Sequence, residues 1–289
     1  MHLHKKSDPY LFLLLPLLAY VSIVIIPIFT TLYYSLQDWN GLFPMEYTGF
    51  TNYVKLFHDS TLRQVLGNTA IFAALATCMQ IGVGLLYSML LVSIPKGRNV
   101  IRVLLFCPTI ISSMAVSQTF KKLLDVDPDG VLNVLLTSVG LPRVAFLSDP
   151  YITLYVVIFI ESYRYLGLYM VVFYAAFVDI DQSVIEASMI DGANRFQTMF
   201  KVQLPIIKIV IQNNILLALI GTFKVFEGPY ILTNGGPGYA SEVISTYMYK
   251  TAFSKMNYGY ASAISVLIAF FCFTIYFAVK KVLNRKENM

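Results

Sequence analysis

What most constrains this chain is how far it runs without a charge. No Asp, Glu, Lys or Arg occurs in 10–36, 65–94, 103–120 or 259–279. A helix rises about 1.5 Å per residue, so about 20 apolar residues cross the roughly 30 Å hydrocarbon core of a bilayer. Two more stretches are apolar but carry ions: 151–178 holds Glu161 and Arg164, and 204–226 holds Lys208 and Lys224. With 57% of the 289 residues hydrophobic and only 13% charged, a soluble domain of this length is excluded. The expectation is an all-α, polytopic membrane protein, one transmembrane domain over 1–289 with six transmembrane helices at these six stretches.

Orientation follows from where Lys and Arg lie between the spans. With the N-terminus inside, Lys5, Lys6, Lys96, Arg98, Arg102, Arg195, Lys201, Lys208, Lys280, Lys281, Arg285 and Lys286 fall in the cytoplasm, twelve of the 21 cations. Seven fall outside: Lys55, Arg63, Lys121, Lys122, Arg143, Lys250 and Lys255. Both termini are therefore expected in the cytoplasm, with 179–203 as a cytoplasmic loop. The first apolar stretch is longer than a signal peptide's core and ends in Tyr33-Tyr34-Ser35-Leu36, not in a small-residue cleavage site, so it reads as a retained span. The external segment 37–64 is expected to form a surface loop with a short interfacial helix near 50–57, and 121–150 a second surface loop.

Chemistry-bearing motifs are scarce. There is no phosphate-binding Gly-x-x-x-x-Gly-Lys loop and no His-Glu-x-x-His, and the only histidines are His2, His4 and His58. Cys78, Cys107 and Cys272 lie inside apolar runs and suggest neither disulfides nor metal. Glu161 and Arg164, spaced i and i+3, share a helix face and read either as a structural pair or as part of a polar path with Tyr163, Tyr165 and Tyr169. Tyrosines suit sugars, whose C–H faces pack on rings while their hydroxyls take hydrogen bonds. Asn213 and Asn214 read as interhelical ties or as path residues, with Leu217 on the same face as Asn213. Lys224 is expected to snorkel at the external edge. Gly82 and Gly84 read as close-packing positions.

A charged, Gly-containing island between two long apolar stretches is Glu186-Ala187-Ser188-Met189-Ile190-Asp191-Gly192-Ala193, followed by Val202-Gln203-Leu204-Pro205. Two readings stand side by side. In one it is an amphipathic loop, with Ile185, Met189 and Phe196 leaning on the bundle. In the other it is a helix, a turn at Gly192 and a second helix, a knob offered to a soluble partner, with Pro205 opening the fifth span.

These residues resemble the cytoplasmic signature of membrane subunits of binding-protein-dependent ATP-binding-cassette importers: Glu-Ala-Ala, three residues, Gly, nine residues, Ile-x-Leu-Pro. Glu186, Ala187, Gly192, Leu204 and Pro205 match, while Ser188 replaces an Ala and Val202 the Ile. Asp191-Gly192-Ala193 is similar to the sugar-importing branch. So are Leu232-Thr233-Asn234-Gly235-Gly236-Pro237, Tyr247 to Phe253 and Gly259-Tyr260-Ala261-Ser262-Ala263, which resemble maltose-type permeases.

The resemblance implies a permease that is not an enzyme and binds no cofactor, ATP and Mg being held by partner ATPases. It implies a second permease in a heterodimer, two ATP-binding-cassette ATPases and an extracytoplasmic sugar-binding protein, all in or at a bacterial or archaeal plasma membrane, and no nucleic acid. Glu186, Ala187, Asp191, Gly192, Ala193, Leu204 and Pro205 would then couple to the ATPase. Ser188 for Ala is expected to cost almost nothing. The rival reading is a secondary transporter or channel, which would place an ion site in broken helices and show related halves; the sequence suggests neither.

Overall fold

The computed structural model describes residues 8–94, 96–127 and 129–284. His2, His4, Lys5, Lys6, Arg285 and Lys286 lie outside the described residues. The described chain is almost entirely helical and divides into two compact units, residues up to Ser60 with Met248–Phe271, and Thr61–Tyr247 with Cys272 onward. Among the described residues, four helices are long and apolar enough to cross a membrane, and six if two bent helix pairs each count as one span.

In the first unit, helix α1 runs Asp8–Tyr20, passes through a wide π turn at Val21–Ile25 and ends as Ile26–Tyr34. The wide turn lies just before Pro27, where the proline ring would clash with a carbonyl one turn back in a regular helix. None of the apolar window of α1 is buried. A two-residue hairpin follows, β1 (Gln37–Asp38) antiparallel to β2 (Glu46–Tyr47), then α2 (Thr51–His58). The buried Asn52 amide ties them, donating to the Ser35 and Gln37 carbonyls at 3.0 and 2.8 Å. Trp39 is not a lone anchor: its ring packs between Tyr34 and Tyr258, 4.9 and 5.3 Å away.

The second unit is built on two long helices, α3 (Ser60–Ser93) and α7 (Thr153–Val178). Between them in sequence come α4 (Arg98–Ile110), α5 (Ser113–Leu124) and α6 (Val131–Ser138). The last of these lies within 121–150, where only a surface loop was expected. Phe72, Ala76, Val157, Ile158 and Ile160 form the main core. Gly84 lets α3 approach α7, since a Cβ there would lie 2.9 Å from that of Tyr169. Gly82 faces open space, so the close-packing reading holds for Gly84 alone.

Two expected spans are not straight. The stretch 103–120 is divided between α4 and α5, which meet at 94° where Ile111 turns extended after Pro108. The chain around 204–226 is also bent. Helix α8 (Gln182–Ile190) is followed by α9, which starts at Arg195–Thr198 and continues through a π turn at Met199–Gln203 to Leu204–Ile206. It then bends 66° at Ile207 into α10 (Lys208–Phe223). Pro205 therefore lies near the end of α9 and does not open the span, the π turn before it making room for its ring. Both stretches were expected as single spans, and each bends just after a proline, Pro108 or Pro205. Helix α11 (Glu227–Thr233), then α12 (Ile244–Tyr249) and α13 (Tyr258–Asn284), complete the described chain.

Candidate functional site

One site is a cavity of about 400 Å³ in the second unit, lined by residues of α3, α7, α10 and the segment leading into α11. Of the residues expected on a polar path, Glu161, Arg164, Tyr165 and Tyr169 meet there. The i, i+3 spacing on α7 puts Glu161 Oε1 3.6 Å from Arg164 Nη1, and the same nitrogen lies 3.9 Å from Glu227 Oε2. Arg164 Nη2 donates to the Tyr165 hydroxyl at 2.7 Å, and the guanidinium lies over that ring, 4.7 Å from its centroid. The Glu161 side chain is 4% exposed and sits against Gly228, where any Cβ would collide with its carboxylate. Glycine is required there for close approach, since only a bare backbone leaves room for the carboxyl group.

Asn213, Asn214 and Leu217 stand outside the lining. The buried Asn214 amide donates back to the Val210 carbonyl at 2.8 Å, and Asn213 and Leu217, one turn apart, are exposed on another face of α10. Lys224 and Glu227 line the cavity together, although α10 ends at Phe223 and the two do not share a helix. Gln80, Thr222 and Phe72 also line it. An amide such as Gln80 in the middle of the charge-free stretch 65–94 is a readable signal; the rest came from helix rotation, which no local pattern states.

The second site is the segment α8–α9. Asp181 caps α8 by accepting from the Ser183 amide at 2.9 Å, and that bond holds its carboxyl below the usual carboxylate range. The helix ends in a Schellman arrangement: the Gly192 amide bonds the Met189 carbonyl at 3.1 Å and the Ala193 amide the Ser188 carbonyl at 3.0 Å. Gly192 has φ +88°, a left-handed conformation that glycine adopts freely. Asn194 and Gln197 form a capping box that starts α9, with both bonds at 2.9 Å.

The knob geometry is thus self-built. Glu186 and Ala187 are exposed on α8, Asp191, Gly192 and Ala193 make the turn, and Leu204 and Pro205 end α9. Ser188 does more than replace a methyl: its hydroxyl is half-buried and 3.1 Å from that of Thr198, linking the two helices. Phe196 and Met189 do not lean on a bundle. Phe196 is 70% exposed, Met189 47% and Ile190 85%, and the Phe196 and Phe200 rings lie 4.3 Å apart, tilted by 36°.

Among curated relatives, the chain is 36% identical over 269 residues to the probable ABC transporter permease protein YurN of Bacillus subtilis, covering 91% of both. It is 30% identical to the lactose transport system permease protein LacF of Rhizobium radiobacter, over 88% of this chain and 86% of LacF. Among solved structures its fold matches a chain of a bacterial alginate ABC transporter, in complex with an alginate pentasaccharide-bound periplasmic protein. That match has a TM-score of 0.86 at 23% identity over 97% and 96% of the two chains. Residues 80–288, which hold both the cavity-lining α7 and the α8–α9 knob, match the family described as binding-protein-dependent transport system inner membrane component, and the chain belongs to that family.

Proposed function

We propose that this chain is one of two membrane subunits of an ATP-driven importer that moves a sugar, an oligosaccharide or glycan fragment, into the cytoplasm. Both termini are cytoplasmic in this reading, and the membrane is a bacterial or archaeal plasma membrane. The observation that carries it is the α8–α9 knob, capped at every internal end yet presenting Ile190 and Phe196 to solvent. Exposed apolar side chains on a rigid, polar-satisfied frame are what a protein partner buries. The partner is an ATP-binding-cassette ATPase, present in two copies, which holds ATP and Mg; the second permease is a different chain, and a sugar-binding protein docks outside.

The cavity is the path for the sugar. Tyr165 and Tyr169 offer ring faces and hydroxyls, Arg164 a donor, and the bends at Ile111 and Ile207 give the adjoining helices places to pivot. The ATPase at one end and the loaded binding protein at the other bias a two-state bundle. Glu186 gives the ATPase a charged contact, and Gly192 the tight turn that lets the knob enter its cleft. The relatives' lactose and the fold neighbour's alginate support the sugar class.

The test is reconstitution of this chain with its co-purifying subunits in vesicles. Sugar uptake is expected only with binding protein and internal ATP hydrolysis. Uptake driven by a proton or sodium gradient without the ATPase would overturn the reading.

A further inference from the structure

We infer that the cavity is built for an uncharged glycan and discriminates against uronates and sugar phosphates; this rests on reading the cavity as the sugar path. Its lining carries two cations, Arg164 and Lys224, and two carboxylates, Glu161 and Glu227. There is no surplus of positive charge to receive an anion. The one cation deep in the site is already committed. Arg164 lies 3.6 and 3.9 Å from two carboxylates, and its other terminal nitrogen donates to the Tyr165 hydroxyl. A guanidinium recognises a carboxylate or phosphate best through two parallel hydrogen bonds from its fork. Here one prong is occupied and the other is flanked by acids.

Glu161 does not yield that place readily. The Glu161 carboxylate is held against the Gly228 backbone with no room for even a methyl group. Glu227 has a 63% exposed side chain and faces whatever enters. An anionic sugar would lose its hydration and approach like charge, with only the exposed Lys224 to offset it, which is costly in a partly enclosed site.

An uncharged sugar meets none of these penalties. The Arg164 Nη1 group is buried without a hydrogen-bond partner, its two carboxylate distances being too long for one. A hydroxyl oxygen can accept that N–H without bringing a charge. The Tyr165 and Tyr169 rings supply faces for sugar C–H groups.

The test uses the full chain in lipid nanodiscs and saturation-transfer NMR at pH 7. The neutral probes are maltotriose, cellotriose and triacetylchitotriose, and the anionic probes are trigalacturonate and galactose 6-phosphate. At least one neutral trisaccharide is expected to bind about tenfold or more tightly than either anion. Glu227→Gln, which leaves the lining with one net positive charge, is expected to narrow that ratio by about threefold. Anions binding as tightly as the neutral probes would overturn the inference while leaving the cavity as the path. A ratio unmoved by Glu227→Gln would overturn the electrostatic cause. Binding of no probe would overturn the path reading and the inference with it.

Discussion

The cavity and the α8–α9 knob solve opposite problems with the same means, a polar group matched to a nearby partner. In the cavity the matching is inward. Glu161, Arg164, Tyr165 and Glu227 answer one another, and an open Arg164 N–H, the Gln80, Tyr169 and Lys224 polar groups and ring surface remain for a guest. In the knob the backbone is satisfied by Asp181, Gly192, Asn194 and Gln197, while Ile190 and Phe196 are left to the solvent. In the reading proposed above, the first, with its charges balanced, takes a weak, neutral guest, and the second, with its backbone satisfied, takes an apolar host. A transporter has to release its cargo at each cycle and keep hold of its motor, and the proposed roles of the two regions differ in that sense.

The largest expected effect breaks the inward matching. Arg164→Ala leaves Glu161 buried without its counter-charge, which should destabilise the chain by about 3–5 kcal/mol. Thermal denaturation in nanodiscs reads this, and adding Glu161→Gln should recover most of the loss. An unchanged melting temperature for Arg164→Ala would mean that the cavity is not held together by its own charges.

A middling effect tests the knob. Gly192→Val places a β-branched residue at φ +88°, which costs about 1–2 kcal/mol or more even though nothing lies within 4 Å of the new Cβ. Co-purification of the ATPase should fall by about tenfold, the equivalent of 1.4 kcal/mol, with the melting temperature of the transmembrane part little altered. Full ATPase recovery would erase the contrast between the two regions, since the knob would then not depend on its shape.

The smallest effect concerns the Asp181 cap. Its native carboxyl titrates below the ordinary value of 3.8 because it accepts from the Ser183 amide. Folded below unfolded means that the cap's contribution is fully present above the unfolded value and is lost as pH falls through the native one. Amide exchange in 182–190, corrected for intrinsic rates, should therefore accelerate slightly in strong acid relative to neutral pH, and Asp181→Asn should blunt the change. Equal acceleration in the variant would remove the carboxylate from the account.

Much of this was legible beforehand because lipid forces the backbone to bond within its own segment. Charge-free runs, the Gly192 turn and the pairing of Glu161 with Arg164 are local or near-local facts. The bends were marked by Pro108 and Pro205 but not read, since a proline in a span is accommodated or not according to its neighbours. Asn213 and Leu217 were placed correctly on one face of α10, yet that face points away from the cavity. Ser188 reads locally as a replacement for Ala; that its hydroxyl lies within hydrogen-bond reach of Thr198, ten residues on, is a tertiary fact.

The sequence by itself determined that the chain is a helical membrane protein and marked Gly192 as the place where a helix would break, because hydrophobic run length and glycine's freedom at positive φ act residue by residue. Only the tertiary structure decided that Gln80, Arg164, Lys224 and Glu227 share one cavity and that Gly228 pins the Glu161 carboxylate. Those contacts depend on how helices far apart in sequence rotate and bend against one another, and close packing, not any local pattern, sets that rotation.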